Sequence, residues 1–237
     1  MIVMKYGLTA RSVLRTDLYK TLKNSGCKLI VICPAANELY LQKEFGKDVT
    51  LVLYPPSFSL GKGEKLFSVL ANSLLFSHPL STRTLALKWF ASLGKKAYLS
   101  FLGKGLAALL RLDRIPWLRL WAERIDRRFF SNVEASHLIK KYEPDLLVAT
   151  DLFGTDSHFI REAVKQNIET ICLVKSWDNF TSKTRIRVQP DWILVWSEHQ
   201  KREAMDIHFI PENKILVKGA LNFDHLANPE FTVKSKE

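Results

Sequence analysis

Residues Thr170 to Lys183 read TICLVKSWDNFTSK. The first five, Thr170 to Val174, form an unbroken apolar run, which suits a strand buried on both faces of a parallel sheet. A loop that only reverses the chain uses Gly, Pro or Asn. The one that follows instead gathers Lys175, Ser176, Trp177, Asp178, Asn179, Thr181, Ser182 and Lys183. In an open α/β sheet, ligands are held just beyond the carboxyl ends of the strands. The stretch therefore predicts both an α/β fold and a site.

Similar runs lie on either side. Ile2 to Lys5, Lys28 to Cys33, Thr50 to Tyr54, Asp145 to Thr150, Trp192 to Trp196 and Lys214 to Val217 read as strands. Between them fall segments of helical period: Leu14, Leu18 and Leu22 closed by Gly26; Leu39, Leu41 and Phe45; Phe159, Ile160, Ala163 and Val164. Ser197-Glu198-His199-Gln200 has the form of a capping box. Alternating strands and helices predict a Rossmann-like, doubly wound, mostly parallel α/β sheet of order 3-2-1-4-5, with later strands extending one edge. The expected organisation is one domain over 1–227, with a helical insertion of three or four helices at about 60–142. A polar tail follows at 228–237.

Composition narrows the classes. The chain has 237 residues, 47% hydrophobic and 25% charged, which is globular rather than disordered. Its three cysteines, Cys27, Cys33 and Cys172, have no metal-like spacing and read as buried, reduced thiols of a cytoplasmic protein. Neither a secretory leader nor a membrane-spanning run is legible. The formal charge is +11, and the segment 83–141 carries thirteen Lys and Arg against four acids, a surplus of nine. Trp89, Phe90, Trp117, Trp121, Phe129 and Phe130 lie in the same segment. Trp117, Trp121, Ile125 and Phe129 follow one helical face. That face suits either an interfacial helix on anionic lipid or a core face with its arginines in solvent. Nucleic acid is disfavoured, because no nucleic-acid module accompanies the charge.

The candidate site residues share the carboxyl-end address. Thr9, Arg11, Ser12 and Arg15 follow the first strand, where a helix terminus favours an anion, although a salt bridge to a neighbouring acid serves Arg11 and Arg15 equally well. Asp151, Thr155, Asp156 and His158 follow the fourth strand, and His158 suits a partly buried, hydrogen-bonded role better than a catalytic one. Trp177, Asp178, Asn179, Ser182 and Lys183 follow the fifth, where Asp178-Asn179 also suits a simple Asx turn. Asn222 and Asp224 follow the last. Several chemistries lack their motifs: no GxGxxG after the first strand, no phosphate-loop spacing around Gly61 and Gly63, no GxSxG, and no HExxH among six histidines. No metal site is expected.

Three segments carry a resemblance: Ala10-Arg11-Ser12 through Leu14-Arg15-Thr16-Asp17, Pro144-Asp145 with Ser176-Trp177-Asp178-Asn179-Phe180-Thr181-Ser182-Lys183, and Lys218-Gly219-Ala220-Leu221-Asn222-Phe223-Asp224. With them the chain resembles the amino-terminal half of GT-B glycosyltransferases. Its likeness lies toward bacterial cell-envelope polysaccharide, glycerophosphotransferase-like and UDP-GlcNAc 2-epimerase-like proteins. The resemblance implies an acceptor-binding domain for a lipid-linked or cell-envelope glycan, with Asp151 or Asp156 as candidate base. Trp177, Asp178 and Asn179 would hold a sugar, while Arg11, Arg15 and Lys183 would meet phosphates. The nucleotide-activated donor belongs to a second domain, on a partner chain or beyond residue 237, so this domain binds no cofactor of its own and the isolated chain is expected to be inactive. The basic aromatic helices would hold it at the inner face of a membrane. A non-catalytic sugar or lipid-phosphate binding or scaffold protein and an epimerase-like enzyme fragment are the alternatives.

Overall fold

The computed structural model describes residues 1–5, 13–56, 60–72, 115–183 and 185–223. Seven strands form one parallel sheet of order β3-β2-β1-β4-β5-β6-β7. They are β1 Ile2–Val3, β2 Leu29–Cys33, β3 Val49–Leu53, β4 Leu146–Ala149, β5 Glu169–Leu173, β6 Trp192–Val195 and β7 Ile215–Val217. The predicted order holds, and β6 and β7 extend the edge beyond β5. Each strand lies within a residue or two of its apolar run.

The helices are α1 Asp17–Asn24, α2 Leu39–Phe45, α3 Lys62–Asn72, α4 Pro116–Phe129, α5 Val133–Tyr142, α6 Asp156–Lys165, α7 Asn179–Ser182 and α8 Glu198–His208. Three of them, α3, α4 and α5, fall in the expected insertion, whose residues 73–114 lie outside the described residues, as does the tail 228–237. Ser197 accepts from the Gln200 backbone N–H at 3.3 Å, and Gln200 Oε1 accepts from the Trp196 N–H at 2.8 Å, so the capping box forms one residue wider than its ideal. Gly26, at φ +74°, takes the left-handed turn that closes the chain after α1.

Two apolar layers flank the sheet. On one side Val13, Leu14, Leu41 and Phe45 pack on β1 to β3. On the other, Ala135, Ile139, Phe159, Ile160, Ala163 and Ala204 pack on the sheet from α5, α6 and α8. Strand β2 is buried throughout. Strands β4 and β6 instead alternate buried and half-buried residues, leaving Leu146, Val148, Trp192 and Leu194 half-covered. Cys33 and Cys172 are buried thiols as expected, but Cys27 is exposed, because it lies in the turn ahead of β2 rather than in the strand.

The insertion helices are fastened by charge. Arg161 of α6, 1% exposed, donates through Nη1 to Glu64 Oε1 of α3 at 2.8 Å and to Asp126 Oδ1 of α4 at 2.9 Å. Arg187 donates to the same carboxylates, at 2.6 Å to Glu64 and at 2.9 and 3.0 Å to Asp126. Arg185 adds a 3.4 Å contact to Asp126. Burial alone would raise the Glu64 carboxyl, yet hydrogen bonds from Arg161 and Arg187 hold it below its ordinary value. Burial pulls Arg185 down to about 10, against the attraction of Asp126 and Glu123. A buried carboxylate facing three arginines is a fastening whose removal strands uncompensated charge. Asp126→Ala is expected to cost about 3–5 kcal/mol in denaturant unfolding; an unchanged midpoint would refute this role.

Candidate functional site

The turn from β4 into α6 carries the candidate aspartates. Asp151 Oδ1 accepts from the backbone N–H groups of Phe153 at 2.9 Å and Gly154 at 3.2 Å, an Asx turn that leaves its second oxygen outside these bonds. That oxygen faces Lys175 Nζ at 3.6 Å. A Cβ on Gly154 would lie 2.7 Å from Asp151 Oδ2, so only glycine leaves the carboxylate in place. Asp156, in the first turn of α6, is fully buried. The Tyr54 hydroxyl sits 2.9 Å from Asp156 Oδ1 and 2.7 Å from Thr155 Oγ1, while Thr150 Oγ1 lies 3.3 Å from Asp156 Oδ2. Having one proton, Tyr54 donates to the carboxylate and accepts from Thr155.

These positions set the electrostatics. Burial first, and the neighbouring Asp151 second, push the Asp156 carboxyl up to about 7. Burial and Asp156 likewise push the Tyr54 phenol up, so it remains a donor. The two aspartates thus share one field, in which the more exposed Asp151 is held by Lys175 and the buried Asp156 keeps a proton near neutrality. Burial, then Asp151 and Asp156, drive the Cys172 thiol upward, which makes it a core group rather than a nucleophile.

A cavity of about 150 Å³ adjoins this turn. Thr150, Leu173, Lys175, Leu194 and Trp196 form its sheet side, Val13 and Leu18 one flank, and Lys218, Gly219 and Leu221 its rim. It lies over the half-covered face of β5 and β6, at their carboxyl ends. Its wall is mostly apolar, with a lysine at each of two positions.

The remaining candidates fall in different places. Trp177 is 74% exposed beyond β5. Asp178 accepts from Ser176 Oγ at 2.6 Å and Ser182 Oγ at 2.7 Å, and against the effect of burial these bonds and Lys183 hold its carboxyl below the ordinary value. Asn179 is buried, and its Oδ1 has no hydrogen-bond partner among the described residues, a cost of about 1–3 kcal/mol that scaffolding seldom carries. Gln200 ties the loop down by donating to the Ser176 carbonyl at 2.9 Å. His158 lies in the buried charge cluster with Nδ1 3.1 Å from Arg161 Nη2; burial and the nearby arginines push it down to about 4, so the ring is neutral. Arg15 makes the salt bridge weighed above, to Glu44 at 2.9 and 2.6 Å, and stands half-exposed. Thr9, Arg11, Ser12 and Asp224 lie outside the described residues, and Asn222 is described by its backbone alone, in a 3₁₀ turn.

Two participants were not singled out in the sequence, and a third, Lys218, entered only as the start of a resemblance segment. Tyr54 reads as the last apolar residue of a strand, and only its position before Pro55-Pro56 marks it. Trp196 likewise ends a predicted strand, and Lys218 directly follows β7. Among the described residues no group of three His, Cys, Asp or Glu is placed to hold a metal. The chain matches no protein-family model and no curated protein sequence.

The Asp156 proton has a stability signature. A carboxyl whose folded value is raised loses stability as pH climbs from its unfolded value, about 4, to its folded one, about 7, and stays penalised above. Asp156→Asn keeps an acceptor for Tyr54 without the charge. It is expected to raise the melting temperature above about pH 7 and to have little effect near about pH 4. A pH-independent difference would show that Asp156 is not the titrating group.

Proposed function

We propose that this chain is the acceptor-side half of a GT-B-type glycosyltransferase acting on a lipid-linked or cell-envelope glycan, with its nucleotide-activated donor held by a second domain. One observation carries the reading: two aspartates stand together at the carboxyl end of β4, the buried Asp156 raised by burial and by Asp151, beside a cavity with apolar walls and lysines at its margin. Attack by a sugar hydroxyl on an activated donor needs a group to take its proton and a positive field for phosphate. Asp151 is the candidate base, because its Oδ2 stands outside the Asx-turn bonds and faces Lys175. Asp156 behind it sets the field without touching solvent. Lys175 and Lys218 supply charge for an acceptor phosphate, and the exposed Trp177 offers a flat apolar platform for a sugar ring.

The test is transfer. The tagged chain is captured from its own cells with whatever protein accompanies it, then incubated with radiolabelled nucleotide sugars and the lipid extract of those cells. Label is expected in the lipid fraction, and Asp151→Ala, with an unchanged melting profile, is expected to reduce it by about a hundredfold or more. Undiminished incorporation would remove Asp151 from the mechanism. Sugar binding by the captured wild type without any incorporation would favour the non-catalytic reading.

A further inference from the structure

Helix α4 is amphipathic in an inverted sense. Its inward stripe is Arg119, Ala122 and Asp126, all buried, with Glu123 beside them. Asp126 enters the charge cluster, Glu123 Oε1 accepts from the Gln189 N–H at 3.0 Å, and Arg119 donates to the Ile207 carbonyl while its guanidinium lies 4.2 Å from the centre of the Phe209 ring. The outward stripe is where the large apolar groups stand: Trp117 is 63% exposed, Leu120 50%, Trp121 58% and Phe129 73%. Val133, opening α5, is 80% exposed. Arg124, Arg127 and Arg128 are exposed along the same helix.

A solvated helix places its charges outward and its tryptophans inward. Here the polar stripe is consumed inside and the aromatic one is left facing out, so the choice left open by the sequence falls against a core role for Trp117, Trp121 and Phe129. We infer that the outward face of α4 is a docking surface for an anionic lipid bilayer, with Trp117, Leu120 and Trp121 entering the headgroup boundary and Arg124, Arg127 and Arg128 meeting lipid phosphates. Charge decides the occupant. Tryptophan with arginine on one face matches the interfacial zone, where ring and guanidinium both find partners, and a protein of +11 is drawn to a negative surface. Among the described residues no helix is long and apolar enough to cross a membrane, so the contact is made from the surface. The buried ion pairs hold α4 to α6, which gives the outward face a rigid backing. The inference does not depend on the transferase reading, since vesicle binding requires no turnover.

The probe is vesicle co-sedimentation of the full chain. Pure phosphatidylcholine vesicles are compared with an equimolar mixture of phosphatidylcholine and phosphatidylglycerol, at low and high salt. Wild type is expected on the mixed vesicles at low salt and not on pure phosphatidylcholine. Arg124→Gln/Arg127→Gln/Arg128→Gln is expected to weaken binding by about a hundredfold, at roughly one surface-attracted charge per residue. Trp117→Ala/Trp121→Ala is expected to weaken it by about tenfold or more, and to abolish quenching of the protein's fluorescence by brominated lipid. All the substituted side chains are exposed, and melting profiles check that both variants fold. Absence of wild-type binding at low salt, or binding equal in both variants, would overturn the inference. So would a wild-type dimer in sedimentation velocity that the tryptophan variant dissociates, because the face would then belong to a second copy of this chain.

Discussion

Asp126 is the point on which the two parts of the molecule meet. It is fully buried, and its two oxygens receive Arg161 from α6 and Arg185 and Arg187 from the segment entering β6. Glu64 joins the same arginines from α3. Apolar packing alone would let short helices slide on one another, since hydrophobic attraction has no preferred register. Charge-assisted hydrogen bonds with fixed geometry do have one. The cluster therefore sets where α3 and α4 lie on the sheet, and with that which stripe of α4 meets solvent.

The same helix that anchors the cluster also begins at the crevice. Asp156 occupies the first turn of α6 and Arg161 the second, so one rigid element bears the buried proton at one end and the insertion's anchor further along. Tyr54, just past the end of β3, closes the arrangement by donating to Asp156. Burial opposes ionisation at both ends, and the neighbouring charges decide the outcome. Around Arg161 every charge meets an opposite partner, so ionisation is kept; around Asp156 the nearest strong charge is another carboxylate, so ionisation is resisted.

The sheet was legible because each strand is a short apolar run and each helix a periodic one, and those patterns are local. The Asp151 and Asp156 turn was legible for the same reason, as acids crowded behind a strand. What escaped was every pairing across long separations: Glu64 with Arg161 spans 97 residues and with Arg187 spans 123. A weak signal existed in Arg161, set among Phe159, Ile160 and Ala163, and in Arg185 and Arg187 flanking Ile186. Charges in an apolar stripe announce a buried partner without naming it. Orientation of α4 was likewise closed to the sequence, since either stripe can face the core until the partner of Asp126 is known. Cys27 was misjudged because lying beside the apolar run of β2 was taken to imply burial, whereas the residue just ahead of the strand stands in solvent.

Because five charged side chains, Glu64, Asp126, Arg161, Arg185 and Arg187, hold the insertion from inside, the exposed outer positions of α4 take no part in that cluster. Substitutions there and substitutions in the β4–α6 turn lie on separate contact networks, and their effects on folding should add. Such a division gives the chain modularity: the outer helical stripe can drift toward a different surface chemistry while the aspartate turn is left alone, and each can be redesigned without re-optimising the other.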